Sequence, residues 1–200
     1  MIKEKKKKLK EPLLYRLLWP LIWIVIRLVF RPKIVGKENI PNDTNVILAG
    51  NHTHNFDCVL LICSTKKIIH FLAKNELFKG ICNIFYKSMG CIPVDRSIHD
   101  KEALNNAIEC LNNNMSIGIF QEGTTNKTNE TILPFKIGSV KMAYETNTQI
   151  VPFIITGKYR FFRKGIRLEF FKPIKVENEN LEIDNNRLMN IIKTELERNK

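Results

Sequence analysis

Residues 46–57 read VILAGNHTHNFD and join an apolar run to a polar turn. The run Val46–Gly50 has the length and composition of a short buried β-strand. The apolar residues Cys58–Ile62, which follow the turn, predict a helix. A buried strand that leads through a turn into a helix is the building unit of α/β sheets.

The same alternation continues along the chain. Lys101–Asn113 carries apolar side chains at helical spacing, and residues 166–171 alternate with the two-residue period of a half-exposed strand. Pro93 places its strand at a sheet edge or at a strand end. We therefore predict an α/β fold, a single domain with a mixed β-sheet layered by α-helices. The other predicted strands are 67–72, 90–94, 116–120 and 150–155, the other predicted helices are 137–146 and 181–196, and 35–41 is predicted as a loop or short strand.

Composition excludes several classes of protein. The chain has 200 residues, is 44% hydrophobic and contains nine Gly and eight Pro. These values are unlike those of a disordered chain, a collagen-like repeat or a polytopic membrane protein. The five cysteines form no C-x-x-C motif and have mostly apolar neighbours, which predicts buried free thiols in a reducing compartment.

The positive charge is concentrated in two segments. The net charge is +12; residues 1–36 hold ten basic and two acidic side chains, and residues 158–175 hold seven basic and one acidic. This distribution predicts an anionic partner, either a membrane surface or a nucleic acid.

The amino-terminal segment has the features of a membrane-surface helix. Its lysines precede the apolar stretch Leu13–Phe30, which Arg16, Pro20 and Arg27 interrupt. A spanning helix needs about 20 apolar residues, whereas cationic and indole side chains suit the headgroup region. We predict that residues 1–33 form a basic, amphipathic membrane-associating segment and that residues 34–200 form the second unit. The alternatives are a core helix docked on the domain and a single spanning helix.

A histidine and an aspartate in the turn form a candidate catalytic pair. An imidazole can accept a proton from an alcohol, and a carboxylate can orient that imidazole. Residues five apart on a continuous helix point roughly 140° away from each other. His52 and Asp57 therefore meet only if a turn separates them, with Asp57 near the start of the following helix.

Three other strand ends carry residues suited to a ligand. Asp95 and Arg96 follow one strand, and arginine offers a planar fork for phosphate oxygens. The segment Phe120–Thr125 (FQEGTT) places a carboxylate, a glycine and two hydroxyls after another strand. A further strand contains Pro152. Strand ends with special chemistry form the ligand crevice of open α/β sheets.

These segments together resemble the glycerophospholipid acyltransferase family, typified by 1-acylglycerol-3-phosphate acyltransferase. The four blocks of that family are NHxSxxD, a G-x-x-x-V-D-R type block, FPEGTRS and a V-P block. Here they stand in the same order as Asn51–Asp57, Gly90–Arg96, Phe120–Thr125 and Val151–Pro152. The resemblance covers residues 35–175.

The resemblance implies a reaction and a partner set. An acyl chain passes from acyl-CoA or acyl carrier protein to the free hydroxyl of a lysophospholipid, with 1-acylglycerol-3-phosphate giving phosphatidic acid. His52 would be the general base and Asp57 its orienting partner. No cofactor and no metal would be required, and the protein would act as a peripheral or monotopic protein on the cytoplasmic side of the cell membrane.

The resemblance also implies a set of substrate-binding residues. Arg96 would bind the phosphate of the acceptor, and Pro152 would help to form the acyl-donor side. The acceptor and phosphate site would be shaped by Glu122, Gly123, Thr124 and Thr125.

The chain departs from the family pattern at three positions. His54 replaces Ser, Gln121 replaces Pro, and Thr125 replaces the Arg of the third block. Because that Arg is a candidate phosphate ligand, its loss leaves the acceptor open: Lys127 or Lys136 compensates, or the acceptor is another lysolipid or glycerol-3-phosphate.

His54 and the segment 158–164 also suit functions other than acyl transfer. His54 has the His-x-His context of some metal-dependent hydrolases, but is otherwise a pocket-lining or surface residue. Residues 158–164 (KYRFFRK) suit a membrane interface, a solvated hairpin or the stacking of nucleic-acid bases. The alternative of a different class is a non-enzymatic basic module that binds membranes or nucleic acid; no nucleic-acid partner is expected for the acyltransferase.

Overall fold

The computed structural model describes residues 12–95, 97–98 and 100–199. In this part of the chain, a seven-stranded mixed sheet is covered by six α-helices. The strands are β1 (Lys33–Val35), β2 (Ile47–Gly50), β3 (Ile69–Lys74), β4 (Ile92–Val94), β5 (Ser116–Phe120), β6 (Ile150–Gly157) and β7 (Ile166–Phe170). The helices are α1 (Leu13–Val29), α2 (Asp57–Ile62), α3 (Gly80–Ser88), α4 (Lys101–Asn112), α5 (Gly138–Thr146) and α6 (Leu181–Arg198). The predicted fold class is confirmed.

Strand pairing places the candidate residues at one edge of the sheet. The strand order is β1-β7-β6-β2-β5-β3-β4. Strand β2 is parallel to both β5 and β6, and β3 is parallel to β5 and β4. The carboxyl ends of these five strands therefore lie at the same edge, and the turn after β2 is adjacent to the turn after β5.

The alternation of side chains along β2 divides the core into two layers. Leu48 faces the layer beneath α1 and α2, whereas Ile47 and Ala49 face the layer beneath α4, α5 and α6. All three are fully buried. Because both faces of β2 are covered, the strand consists only of apolar and small residues, as expected for a parallel sheet between helices.

Helix α1 packs on the core with one face and exposes an apolar stripe on the other. Tyr15, Ile26 and Phe30, the residue after its last turn, are buried against the sheet. Leu17 and Leu28 on the opposite face are 65% and 63% exposed. Across residues 12–95, 97–98 and 100–199, no helix has both the length and the hydropathy that a membrane crossing requires.

Polar contacts also fix α1 to the domain. The Tyr15 hydroxyl accepts a hydrogen bond from the N–H of Ile69 at 3.2 Å and donates to the carbonyl of Lys67 at 3.4 Å. The Trp19 indole N–H donates to the carbonyl of Ile62 at 2.9 Å. The amino-terminal half of α1 thus satisfies backbone groups of both β3 and α2.

The observed strands and α-helices begin and end within two residues of the predicted ones, except for β1 and α3. The predicted strand 116–120 is confirmed with its bounds, and β4 with Pro93 is an edge strand as predicted. The segment 35–41, predicted as a loop or short strand, begins with Val35 at the end of β1 and continues as a loop with one turn of 3₁₀-helix at Lys37–Asn39. Helix α3 lies between two predicted strands, where no element was predicted.

The link between α1 and β3 gives a testable prediction. We expect Tyr15→Phe to lower the free energy of unfolding by about 1–3 kcal/mol, since it leaves the buried N–H of Ile69 without its acceptor. Urea denaturation measures the difference. Tyr144→Phe removes the same hydroxyl from an exposed position and is the matched control. Equal stability of the two variants would contradict a structural role for the Tyr15 hydroxyl.

Candidate active site

The turn after β2 brings an imidazole against a carboxylate. The distance from His52 Nδ1 to Asp57 Oδ2 is 3.0 Å, and Asp57 is the first residue of α2. The Asp57 side chain is fully buried, whereas the His52 side chain is 13% exposed. The predicted contact is therefore present: a carboxylate holds one ring nitrogen of a side chain that stays partly exposed.

Backbone donors of the same turn surround the carboxylate. The N–H groups of Thr53 and His54 donate to Asp57 Oδ2 at 2.6 and 2.8 Å. The N–H of Asp57 in turn donates to the carbonyl of His54 at 2.9 Å. Such bonds stabilise a buried charge, because an isolated carboxylate in an apolar interior is costly. They hold one oxygen of the carboxylate, Oδ2, beside His52.

The His52 ring is stacked on an aromatic side chain from the neighbouring strand. Its centroid lies 4.1 Å from that of Phe120, with 17° between the planes. Beside an ionised carboxylate, which only accepts hydrogen bonds, a neutral imidazole carries its proton on Nδ1 and leaves Nε2 unprotonated. Stacking and the Asp57 contact together restrict the ring to one orientation.

Glu122 connects three segments of the site. Its Oε1 accepts from the N–H of His52 at 3.0 Å, and its Oε2 accepts from the N–H of Leu133 at 2.9 Å. Burial raises the pKa of this carboxyl above its ordinary value, against the lowering effect of the two N–H donors. The carboxylate thus fixes the backbone of His52 directly; a role toward the acceptor stays a prediction.

Gly123 adopts a positive φ of 66° beneath a lysine side chain. A Cβ at this position would come within 2.7 Å of Lys136 Cε and 3.1 Å of Lys136 Nζ. The N–H of Gly123 donates to the carbonyl of Phe120 at 3.0 Å, so it is engaged within its own turn. Thr124 is exposed and Thr125 is half-buried.

Gln121 and Asn51 hold the strand ends together. Gln121, which replaces the family's Pro, is fully buried and donates from Nε2 to the hydroxyl of Ser139. Asn51 makes two bonds with the backbone of Ile155 in β6, donating from Nδ2 to its carbonyl at 2.9 Å and accepting from its N–H at 2.8 Å. The side chain of Asn51 thereby extends the pairing of β2 with β6.

The structure describes two of the three remaining candidate residues, Pro152 and His54. Arg96 lies outside the described residues. Pro152 is buried within β6 beside Ala49, and its carbonyl accepts from the N–H of Phe171 at 2.9 Å. His54 is exposed, and its Nδ1 accepts from the N–H of Phe56 at 3.2 Å. The proposed functions of Arg96 and Pro152 stay predictions.

One residue that contacts the pair was not singled out from the sequence. The hydroxyl of Tyr159 donates to Asp57 Oδ1 at 2.7 Å. Tyr159 belongs to the hairpin tip 158–165. Its cationic and aromatic residues suit a membrane interface, a solvated hairpin or the stacking of bases, and none of these predicts a contact with Asp57. A tyrosine in such a segment gives no sequence signal for a carboxylate 102 residues earlier.

The structure thus places an imidazole–carboxylate pair at the carboxyl edge of the sheet of an α/β domain. The family model described as Acyltransferase matches residues 31–156. The chain belongs to the acyltransferase family, and the family prediction is confirmed.

Named relatives are similar to this chain over about two thirds of its length. A protein of Borreliella burgdorferi named 1-acyl-sn-glycerol-3-phosphate acyltransferase is 40% identical over 136 residues, which is 66% of this chain and 54% of that protein. A Bacillus subtilis protein of the same name is 31% identical over 138 residues, or 66% of this chain and 68% of that protein. The chain thus spans about half the length of the Borreliella relative.

A crystal structure has the same fold. It is described as the 1-acyl-sn-glycerophosphate (LPA) acyltransferase PlsC from Thermotoga maritima and superposes with a TM-score of 0.75. The identity is 23%, and the match covers 99% of this chain and 83% of that chain. At this level of identity, the likeness concerns the fold.

Proposed function

We propose that this chain transfers an acyl group from a thioester, acyl-CoA or acyl carrier protein, to the free hydroxyl of 1-acylglycerol-3-phosphate, giving phosphatidic acid. The observation that carries the proposal is the 3.0 Å contact between His52 Nδ1 and Asp57 Oδ2 at the sheet edge. The names of the two relatives described above support the same acceptor.

The reaction needs one base and no covalent enzyme intermediate. His52 Nε2 takes the proton of the acceptor hydroxyl as its oxygen attacks the thioester carbonyl. The tetrahedral intermediate then expels the thiolate, which takes the proton back from His52, so the products are an ester and a free thiol. Asp57 stabilises the transient imidazolium and keeps Nε2 directed toward the hydroxyl.

The base gives the first test of this proposal. We expect His52→Ala to lower the rate of thiol release from acyl-CoA by about 10²–10⁴-fold, the usual contribution of a positioned base. The thiol is measured colorimetrically with 1-acylglycerol-3-phosphate as acceptor, and circular dichroism checks that the variant is folded. Turnover like that of the unchanged protein would contradict the mechanism.

We further propose that Lys136 supplies the positive charge that is lost where Thr125 replaces the family's Arg. The Lys136 side chain lies over Gly123, whose turn is joined to His52 through Glu122. A phosphate bound there would be close to the dyad and would be paired with an ammonium group. Lys127 is the other lysine near this block in the sequence.

Substitution of the two lysines separates these candidates. We expect Lys136→Ala to raise the KM for 1-acylglycerol-3-phosphate about tenfold, the loss of roughly one charge-assisted contact, and to leave the KM for the thioester unchanged. Lys141→Ala is the surface control. A raised KM in Lys127→Ala, with none in Lys136→Ala, would assign the contact to Lys127 instead.

We also propose that α1 attaches the protein to an anionic membrane surface. The exposed apolar stripe of α1 is flanked by Arg27, whose guanidinium lies 5.1 Å from the centroid of Trp23. The basic hairpin tip 158–165 adjoins the end of α1, since Phe30 and Phe161 have centroids 5.4 Å apart. The end of α1 and the basic hairpin tip thus lie side by side, which suits anionic headgroups.

Vesicle binding tests the attachment. We expect Leu17→Glu to reduce sedimentation with phosphatidylglycerol vesicles at least fivefold, because it introduces a negative charge into the exposed stripe. Ile183→Glu makes the matched change at an exposed position on α6 and should leave binding unchanged. Salt-sensitive binding to oligonucleotides, with none to the vesicles, would contradict the proposal and favour a nucleic-acid-binding module.

A further inference from the structure

The Asp57 carboxylate receives a different kind of donor on each oxygen. Oδ2 accepts from His52 and from two backbone N–H groups of its own turn. Oδ1 accepts from the Tyr159 hydroxyl at 2.7 Å and from the Thr53 hydroxyl at 3.3 Å. Because the Thr53 hydroxyl also lies 3.4 Å from Oδ2, the short and well-defined contact on Oδ1 is the one with Tyr159.

Tyr159 is suited to act as the donor of this bond, since its phenol keeps its proton more readily than a free one. Burial and the negative charge of Asp57 raise the pKa of the phenol above its ordinary value. The ring meets Phe30 and Phe56 edge to face, with centroids 5.3 and 5.9 Å away. The hydroxyl is thus directed at Asp57 by packing on the ring.

The backbone of the hairpin fixes where Tyr159 stands. Gly157 has a φ of 86°, and a Cβ there would lie 1.9 Å from the carbonyl oxygen of Gly165. The N–H of Lys158 donates to that same carbonyl at 2.9 Å. This close approach closes the tip of the hairpin and places Tyr159 two residues after Gly157.

The tip is also bonded to the end of α1. The N–H of Phe162 donates to the carbonyl of Val29 at 2.5 Å, and Phe30 packs on both Tyr159 and Phe161. A chain of direct contacts therefore leads from α1 through Phe30 and Tyr159 to Asp57.

We propose that Tyr159 is a positioning residue, which holds Asp57, and through it the imidazole of His52, in the orientation needed for proton transfer, and which is itself held by the end of α1. The proposal rests on the function proposed above and adds a residue outside the four sequence blocks. Tyr159 acts through Asp57 and does not contact the reacting atoms.

The expected kinetic signature follows from this indirect action. Without the hydroxyl, Oδ1 keeps only the long Thr53 contact, and the carboxylate can rotate away from His52. Small misplacement of a catalytic group can cost up to about 10²-fold in rate. Substrate binding is unaffected, because Tyr159 is not part of the proposed acceptor or donor site.

The test is Tyr159→Phe, which keeps the ring and removes the hydroxyl. We expect kcat to fall about 10–100-fold while both KM values stay within twofold. In proton NMR, the Nδ1–H resonance of His52, assigned by its loss in His52→Gln, should move, because its hydrogen bond to Asp57 changes. Tyr144→Phe should change neither quantity.

A second variant covers the case in which Tyr159→Phe does not fold. Phe30→Leu removes the aromatic contact of the Tyr159 ring and retains the hydroxyl, so the same resonance should move in the same direction by a smaller amount. An unchanged resonance in the folded variants, or an unchanged kcat in Tyr159→Phe, would overturn the proposal. If the wild-type protein transfers no acyl group, the proposed function fails. The shift of the His52 Nδ1–H resonance in the two variants then tests the positioning role by itself.

Discussion

The site depends on keeping one negative charge in the interior of the protein. Asp57 is fully buried, and a buried carboxylate is tolerated only when hydrogen bonds replace its water. Its donors come from the turn after β2 and from the hairpin between β6 and β7. The need to satisfy this one group therefore links segments that are far apart in sequence, and His52 is oriented as part of the same arrangement.

The parallel sheet supplies the remaining constraint. Since β2 lies between β5 and β6, the turn that holds His52 is flanked by Glu122 on one side and by the backbone of Ile155 on the other. Glu122 accepts from the N–H of His52, and Asn51 pairs with Ile155, so polar side chains continue the sheet where backbone pairing ends. Glu122 of the third block thus supports the backbone of the first block.

Sequence patterns predict the buried parts of this protein well because burial leaves a strong signal. The apolar runs of β2, β5 and β6 and the helical spacing of α4 were each recognisable, and the five-residue spacing of His52 and Asp57 correctly required an intervening turn. Weak signals failed: β1 has only three residues, and no element was predicted for the residues that form α3. Tyr159 could not be connected with Asp57, because that contact exists only through the long-range pairing of β6 with its neighbours.

The contacts of the hairpin tip restrict the insertions and deletions that this part of the chain can accept. Loops between antiparallel strands ordinarily tolerate insertions, because they lie at the surface and little else depends on their length. Residues 158–165 are different: their amino-terminal half reaches the buried carboxylate, and Phe162 is bonded to Val29. Adding or removing a single residue there would break one contact or the other, so this exposed connection has a fixed length, like a spacer between two attachment points.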